Sequence, residues 1–309
     1  MNASDWSQFS LVDLKCHESV VHSIQWSHNG QYLASASADK TVKIFFLEKN
    51  GSMRMMQVIT LTSTPKSISW HPLDFERLAI AGDDKNIEIW DVRQQKATAK
   101  FLTSGSNLNC LWSPDGEKLA IGNYDDKLIV LEISKDLLSD ADTDNNATFS
   151  VNTSPSASAS ISFDYEVNQF CWGSQSDYIV FASGEKNYGN IGILRYDNSN
   201  SSNSNDGNSK SNSKSKKKSS SSTPSPTPTP APTLTLIKTI PAATCNCLCL
   251  QLDKSSSRLA VSSIDQTISL WDFHDLISDK SIIQEGTIRC MSFSGNGKFI
   301  AVTGESSTI

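Results

Sequence analysis

The sequence of 309 residues predicts an all-β fold built from repeats of one small antiparallel sheet. Three observations predict it: an anchor residue that recurs with a period near 42, a turn after each anchor, and an acidic residue before a further apolar run. Residues 112–133, "WSPDGEKLAIGNYDDKLIVLEI", contain all three. Because periods of roughly 20–50 residues are typical of repeat architectures, we interpret the chain as an array of similar units.

The first strand of each unit alternates apolar and polar residues and ends at the anchor, as in "HSIQW" and "KSISW". A turn rich in Gly, Pro, Asn, Asp or Ser follows, and then a strand of small apolar residues such as "RLAIAG". An acidic residue ends the next hairpin before a third strand, and "MQVITL", "ATAKFL" and "LTLIKTI" supply a shorter fourth strand. The anchors are Trp26, Trp70, Trp112, Trp172, Leu252 and Phe293.

Two polar segments lengthen the spacing between anchors, which is 44, 42, 60, 80 and 41 residues. Residues 134–160 are acidic and rich in Ser, Asn and Thr, and residues 197–232 contain a lysine cluster and Thr-Pro repeats. Neither has enough apolar surface to offset the entropy of ordering, so we expect two disordered insertions within a single domain, residues 1–309. The second segment has five Lys and two Asp, a charge of +3. Because the net charge of the chain is −6, the rest of the chain carries −9.

A four-stranded sheet of this size is apolar on both faces and must stack on copies of itself, which predicts a β-propeller. Five full blades and a partial sixth are visible, because the sixth unit stops at Ile309 within its third strand. We interpret the chain as derived from a seven-bladed parent with an incomplete C-terminus. Residues 9–15, "FSLVDLK", are similar to an outer strand, and a six-bladed closure that uses them is the alternative. An open ring would expose an apolar blade face.

Two strings carry a Trp-Asp pair, "IWDVR" at 89–93 and "LWDF" at 270–273, and with "SASADKTVKIF" at 35–45 they resemble WD40 repeats. The resemblance implies a hydrogen-bonded group in each blade, made of a His, a Ser or Thr two residues before the turn Asp, that Asp, and a Trp. No blade has the full set, since Phe45 replaces the first Trp and Gly82 replaces the second Ser. The residues at these positions are His17, Ser37, Asp39, Asp84, Trp90, Asp125, Ser263, Asp265 and Trp271.

Other candidate sites are better explained by the repeat. Cys245, Cys247 and Cys249 alternate on a strand, where side chains on one face lie ~6.6 Å apart, too far for one zinc ion to bind all three. The pairs of acidic residues at 83–84 and 125–126 recur at equivalent positions, which favours a structural role over acid–base catalysis. We therefore predict no enzyme activity, no cofactor and no small-molecule substrate. Asp83 and Tyr124 precede a turn Asp and are expected at a rim that binds partners.

Composition limits the remaining classes of function. No apolar run approaches the ~18 residues that a membrane helix needs, and the first residues do not form a signal peptide, so we predict no membrane association. Seven cysteines without framework spacing are typical of a reducing compartment. The net charge of −6 argues against bulk capture of nucleic acid. Residues 214–218, "KSKKK", are either a nuclear-import patch or a solvated linker.

Blade-specific strings point to one group of WD40 proteins. "VVHSIQWSHNGQYLASASADKTVKIFFLEK", "SNLNCLWSPDGEKLAIGNYDD" and "GTIRCMSFSGNGKFIA" resemble the WD-repeat subunits of the THO complex, including at non-consensus positions. This resemblance implies a non-enzymatic nuclear scaffold of the THO/TREX assembly, which couples transcription to mRNA export. Its partners would be other THO/TREX subunits, especially a large helical scaffold subunit, with mRNA contacted only indirectly. The alternative is another WD40 adaptor, either chromatin-associated or a substrate receptor of a ubiquitin ligase.

Overall fold

A computed structural model describes residues 14–134, 157–185, 188–197 and 231–305. Every regular element in these ranges is a β-strand, and the strands form five four-stranded antiparallel sheets and one two-stranded sheet. This confirms the predicted all-β architecture of WD40-type blades. No helix in the described part of the chain has the length and apolar character that a membrane crossing needs.

The first three sheets contain twelve strands in chain order. Sheet 1 consists of β1 (Val21–Trp26), β2 (Tyr32–Ser37), β3 (Thr41–Leu47) and β4 (Met53–Thr60). Sheet 2 consists of β5 (Pro65–Trp70), β6 (Arg77–Gly82), β7 (Asn86–Asp91) and β8 (Lys96–Leu102). Sheet 3 consists of β9 (Asn107–Trp112), β10 (Lys118–Asn123), β11 (Lys127–Glu132) and β12 (Ala157–Ser162).

The last three sheets contain the remaining ten strands. Sheet 4 consists of β13 (Glu166–Trp172), β14 (Tyr178–Glu185), β15 (Tyr188–Asp197) and β16 (Thr233–Ala243). Sheet 5 consists of β17 (Cys247–Leu252), β18 (Arg258–Ser263), β19 (Thr267–Asp272) and β20 (Ile277–Ile283). Sheet 6 consists of β21 (Ile288–Phe293) and β22 (Ile300–Gly304).

The core consists of layers between consecutive sheets. All six residues of β6 are buried, so both faces of this strand are covered. One layer joins Ala34, Val42 and Ile44 of sheet 1 to Ile68 and Trp70 of sheet 2, and similar clusters join each later pair of neighbouring sheets. Because burying one large apolar side chain contributes about 1.5–3 kcal/mol, these layers account for most of the stabilisation of the stack.

Hydrogen bonds from the anchor tryptophans reinforce the stacking of the inner strands. The backbone amide of Trp70 donates to Gln25 Oε1 at 2.9 Å, and the indole Nε1 of the same residue donates to the Gln25 carbonyl at 3.0 Å. The indole of Trp172 donates to the carbonyl of Leu111 in the preceding sheet at 3.1 Å. These anchors therefore pack against the preceding sheet and also fix its register relative to their own.

Sheet 1 differs because its anchor has no preceding sheet to contact among the described residues. Trp26 is 45% exposed, whereas Trp70 is 0% exposed, and Ile24 on the same face is 63% exposed. Residues 14–19 cover part of this face, and a cavity of about 470 Å³ lies between them and the side chains of Leu33 and Phe45. Trp26 and Ile24 therefore form an exposed apolar surface on sheet 1.

The boundaries of the two polar segments differ from the sequence prediction. Residues 157–160, which were assigned to the first insertion, form most of β12, and Ala159 is buried opposite Val130. Alternation in "ASASIS" allows one face of this strand to complete sheet 3, a signal that the serine-rich composition masks. Asp197 likewise belongs to β15. Residues 135–156 and 198–230 lie outside the described residues, as do 9–13 of the early outer strand and 306–309 of the sixth unit.

Replacing Trp70 by alanine should lower the free energy of unfolding by about 3–5 kcal/mol, because it removes a fully buried indole and the hydrogen bond from that indole to the Gln25 carbonyl. The equivalent change at the half-exposed Trp26 is the matched control and should cost less than about 1 kcal/mol. Urea denaturation of both variants measures the difference. Equal losses at the two positions would contradict the stacking account.

A buried histidine links the turns of sheets 2 and 3. His71 Nε2 donates to the carbonyl of Gly116 at 3.0 Å, while Nδ1 accepts the backbone amides of Leu73 and Asp74. The ring also makes an edge contact with Trp112, at 4.7 Å between centroids. Burial lowers the pKa of His71, and protonation would place a third donor against the two amides.

Because the pKa of His71 is lowered in the folded state, its contribution to stability is present above the ordinary pKa of about 6.5 and is lost as the pH falls through the lowered value. A His71→Gln variant, which retains a donor and an acceptor but does not titrate, should lose less stability between pH 7 and pH 5 than the unaltered protein. His274→Gln, at an exposed histidine, is the control. Parallel pH profiles of unaltered protein and His71→Gln would exclude this role.

Candidate functional site

The turns between second and third strands lie at the same end of the sheets as the loops that lead into each next sheet. We call this end the rim. The nine residues of the expected hydrogen-bonded groups and the two expected partner-binding residues all lie at the rim or on the strands below it. Because the strands of every sheet follow the same antiparallel order and direction, each sheet places its equivalent side chains at this end.

The rim corner of sheet 1 is the most complete group. His17 lies in the segment before β1, and its Nδ1 is 2.8 Å from Asp39 Oδ2. The other ring nitrogen, Nε2, is 2.8 Å from the hydroxyl of Ser35. Thr41 Oγ1 donates to Asp39 Oδ1 at 2.6 Å, and the amide of Glu18 donates to Asp39 Oδ2 at 3.2 Å. The carboxylate of Asp39 therefore joins the incoming segment to the turn between β2 and β3.

The environment of Asp39 favours its ionised form. Burial opposes the charge, but hydrogen bonds from Thr41 and His17 and from the amides of Glu18 and Thr41 outweigh it, so the pKa of this carboxyl lies well below its usual value. Hydrogen bonds to a carboxylate are stronger than bonds between neutral groups. The arrangement is that of a structural latch, since the carboxylate and the imidazole are largely enclosed by their own partners.

The serine expected in this group occupies a different role. Ser37 Oγ donates to the carbonyl of Ser19 at 3.2 Å, and Ser263 Oγ donates to the carbonyl of Cys245 at 3.0 Å in sheet 5. It is Ser35, two residues earlier, that contacts His17. The reason is the geometry of β2. Side chains two residues apart share a face of the strand but lie ~6.6 Å apart, and the imidazole of His17 lies level with Ser35 and not with Ser37, which is nearer the turn. The two serines before the turn Asp therefore form hydrogen bonds with backbone carbonyls and not with a histidine side chain.

The tryptophans of the third strands also bond differently from the expectation. Trp90 Nε1 donates to Glu88 at 2.9 Å, and Trp271 Nε1 donates to Ser269 at 2.8 Å, both two residues earlier on the same strand. Trp271 pairs with Leu259, and Ser263 is four residues farther along β18, about 13 Å away. A direct Ser263–Trp271 bond is therefore geometrically excluded.

Two of the remaining turn aspartates, Asp84 and Asp265, accept hydrogen bonds near their own turns. Asp84 accepts hydrogen bonds from the backbone amide and from the side-chain amide of Asn86. Asp265 accepts a hydrogen bond from the hydroxyl of Thr267 and another, at 2.9 Å, from the hydroxyl of Thr244. Thr244 therefore occupies the position that His17 has in sheet 1. Asp125 is exposed at its turn. The structure thus brings histidine and aspartate together only at the corner of sheet 1 among the described rim corners.

Asp83 and Tyr124 lie at the rim on neighbouring sheets. Asp83 is exposed, and its Oδ1 accepts the amide of Thr64 at 3.1 Å. Tyr124 is 56% exposed, and its amide donates to the carbonyl of Ser106. Since backbone bonds hold both loops, the two side chains are presented from ordered positions.

Sequence comparison identifies the repeat. The family model described as "WD domain, G-beta repeat" matches residues 8–45, 234–272 and 280–309. The chain carries WD40 repeats. The second match begins in β16 and continues to the end of β19, so the WD40 sequence unit combines the outer strand of one sheet with three strands of the next.

Relatives extend the similarity over most of the chain. THO complex subunit 3 of Arabidopsis thaliana is 27% identical over 94% of this chain and 75% of its own length. WD repeat-containing protein AAC3 of Dictyostelium discoideum is 25% identical over 94% of this chain, which spans 54% of that relative. The WD repeat-containing protein 26 homolog of Arabidopsis thaliana is 30% identical over 39% of this chain and 20% of its own length.

The cysteines on the inner WD40 strand of sheet 5 lie in the core. Cys247 and Cys249 are 0% and 1% exposed, and burial raises their thiol pKa values to about 12 and about 11. Both are therefore protonated near neutral pH and act as small apolar side chains. Within the described ranges, no group of three His, Cys, Asp or Glu side chains is placed to hold a metal ion.

Sequence reasoning missed a groove at the rim between the fourth and fifth WD40 sheets. The groove has a volume of about 930 Å³, and Asp164, Glu166 and Glu185 contribute carboxylates to it. The acidic residues in "FDYEV" and "SGEK" were available in the sequence, but they belong to two separate loops. Only the antiparallel meander of sheet 4 brings those loops together.

Asp39→Asn should destabilise the protein by about 1–3 kcal/mol at pH 7, since it removes a largely buried carboxylate that accepts several hydrogen bonds. Because the pKa of Asp39 is lowered on folding, its stabilisation is present above the ordinary value of about 3.9 and is lost as the pH falls through the lowered value. The difference between the two proteins in urea denaturation should therefore shrink below pH 4. The exposed Asp275→Asn is the control, and a difference that persists unchanged at low pH would refute this assignment.

Proposed function

We propose that this chain is a non-enzymatic scaffold subunit of a THO-type complex, where it couples transcription to mRNA processing and nuclear export. The observation that supports this most directly is the 27% identity with THO complex subunit 3 over 94% of the chain. The alignment spans 75% of THO complex subunit 3, whereas AAC3, at 25% identity over the same share of this chain, is matched over 54% of its own length. On this proposal the protein acts in the nucleus.

The geometry of the rim supports a docking role. Stacked sheets with buried hydrogen-bonded corners form a rigid support, and their loops carry exposed side chains such as Asp83 and Tyr124. A preorganised surface loses little conformational entropy on association, which favours protein binding. We propose that this rim contacts other THO/TREX subunits, in particular a large helical scaffold subunit.

The charge of the chain is consistent with an indirect relation to RNA. The net charge is −6, and acidic side chains occur at the described rim positions 83, 125, 164, 166 and 265. Lysines such as Lys40 and Lys85 lie at the same turns, so the argument rests on the net charge, which opposes bulk attraction of phosphate-rich RNA, and on this proposal mRNA is reached through other subunits. The same chemistry offers no phosphate-binding site for a nucleotide substrate at these positions.

Affinity purification of the full chain from nuclear extract should recover THO components, and recovery should persist after RNase treatment because the contacts are between proteins. A double variant, Asp83→Lys with Tyr124→Ala, should lower that recovery at least about threefold through the loss of an aromatic contact and a charge reversal at the rim. Quantitative mass spectrometry measures both effects. Asp275→Lys, at the opposite end of sheet 5, is the control.

The outcome also discriminates against the alternative adaptor function. Recovery of chromatin proteins or ubiquitin-ligase subunits without THO components would overturn the THO assignment while keeping the docking role. Recovery of THO components that the rim double variant does not weaken would instead place their contact elsewhere on the molecule.

A further inference from the structure

The groove between sheets 4 and 5 has the dimensions of a ligand site. Its volume of about 930 Å³ lies within the range of ~300–1,000 Å³ that binding pockets usually have. One wall comes from Asp164, Tyr165 and Glu166, which lead into sheet 4, and the other comes from Cys245, Asn246 and Ile264 of sheet 5. Two neighbouring sheets thus form one concave surface at the rim.

The β14–β15 hairpin creates the groove by extending past the usual turn position. Its pairing continues to Glu185 and Tyr188, and no turn Asp occupies the corner as Asp39 and Asp265 do in sheets 1 and 5. The backbone at the base of the hairpin lies close to the next sheet, since a Cβ at Gly184 would meet Asn246 at 2.0 Å. The side chain of Asn246 therefore lies at this corner, and the groove opens beside it.

Hydrogen bonds fix the carboxylate of Glu166 in this open space. Asn168 donates to Asn246 Oδ1 at 3.0 Å and to the carbonyl of Cys247 at 2.8 Å. Asn246 Nδ2 then donates to Glu166 Oε2 at 3.0 Å. This bond uses one oxygen of Glu166, so the orientation of the second is set by the network and not by a cationic side chain.

The groove combines negative charge with apolar surface. Asp164, Glu166 and Glu185 carry the charge, and the lining residues that the structure describes include no lysine or arginine. Ile264 is 47% exposed beside them. Burial raises the pKa of Tyr165, and the charges of Glu185 and Asp164 raise it further, although a hydrogen bond with Thr239 opposes them.

We propose that this groove binds an arginine side chain on an extended segment of a protein partner. The planar guanidinium forms paired hydrogen bonds with carboxylates, and the apolar stem of the side chain matches Ile264 and the ring of Tyr165. The inference specifies the partner chemistry of the docking function proposed above and rests on it only in assuming a protein partner. A polyphosphate or an RNA strand would be repelled by the same three carboxylates.

A defined peptide tests the proposal on the full chain. The probe is a fluorescein-labelled nonapeptide, GSGSRSGSG, and its reference is the same peptide with neutral citrulline at the centre. Fluorescence anisotropy at low ionic strength should detect saturable binding of the arginine peptide and at least fivefold weaker binding of the citrulline peptide. Binding of the arginine peptide should also weaken as salt is added, because ions screen the exposed carboxylates.

The protein variant is Asp164→Asn with Glu166→Gln, which removes two charges but leaves an oxygen to accept the bond from Asn246. The dissociation constant of the arginine peptide should rise about tenfold, while Asp275→Asn should leave it unchanged. An unaltered thermal midpoint shows that the double variant is folded. Equal affinity for the unaltered protein and the double variant, equal affinity for the two peptides, or no saturable binding would each overturn the proposal.

The peptide measurement contains no THO component, so it is independent of the outcome of the affinity purification. Loss of the THO assignment with intact arginine binding would retain the groove as a site for another partner. Recovery of THO components without arginine binding would retain the scaffold function and exclude this groove chemistry.

Discussion

The whole structure depends on one constraint, which is that each small sheet is apolar on both faces and must be covered by the next. Trp70 shows how strongly the stack satisfies it, since its indole is fully buried, and its indole nitrogen and backbone amide both donate to Gln25 of the preceding inner strand. Trp26 has the same place in sheet 1 and is half exposed. The two residues therefore differ in burial because, in the part of the chain that the structure describes, only Trp70 has a preceding sheet to pack against, and not because their local sequences differ.

The polar corners at the rim convert this stack into a precise surface. Asp39 and His17 join an incoming segment to a turn, whereas Asp265 uses Thr244 for the same purpose. Because the corners of Asp39, Asp84 and Asp265 are closed by their own partners, these aspartates support their loops, and nearby side chains such as Asp83 and Tyr124 stay exposed. The corner of sheet 4 departs from this pattern, and its open space is the groove that Glu166 lines.

The period of the anchors and turns was sufficient to predict the repeat, the five full sheets and the partial sixth, because each strand of a meander is a local pattern. It was also sufficient to place Asp83 and Tyr124 near turns. It misassigned β12, where a serine-rich composition masks an alternating strand, and it chose Ser37 where Ser35 contacts His17. The first error arises from composition. The second concerns which side chain of a strand reaches His17, a distance that a one-dimensional spacing does not contain.

The sequence by itself determined the unit: an inner strand that ends at an aromatic anchor, a tight turn, a strand of small residues and a third strand after an acidic residue. These features depend on residues close in the chain. Only the tertiary structure decided which anchor is buried, which hydroxyl meets His17, and that the loops around Glu166 and Asn246 form one groove. Glu166 and Asn246 are 80 residues apart in the chain, and their contact exists only because two sheets pack side by side.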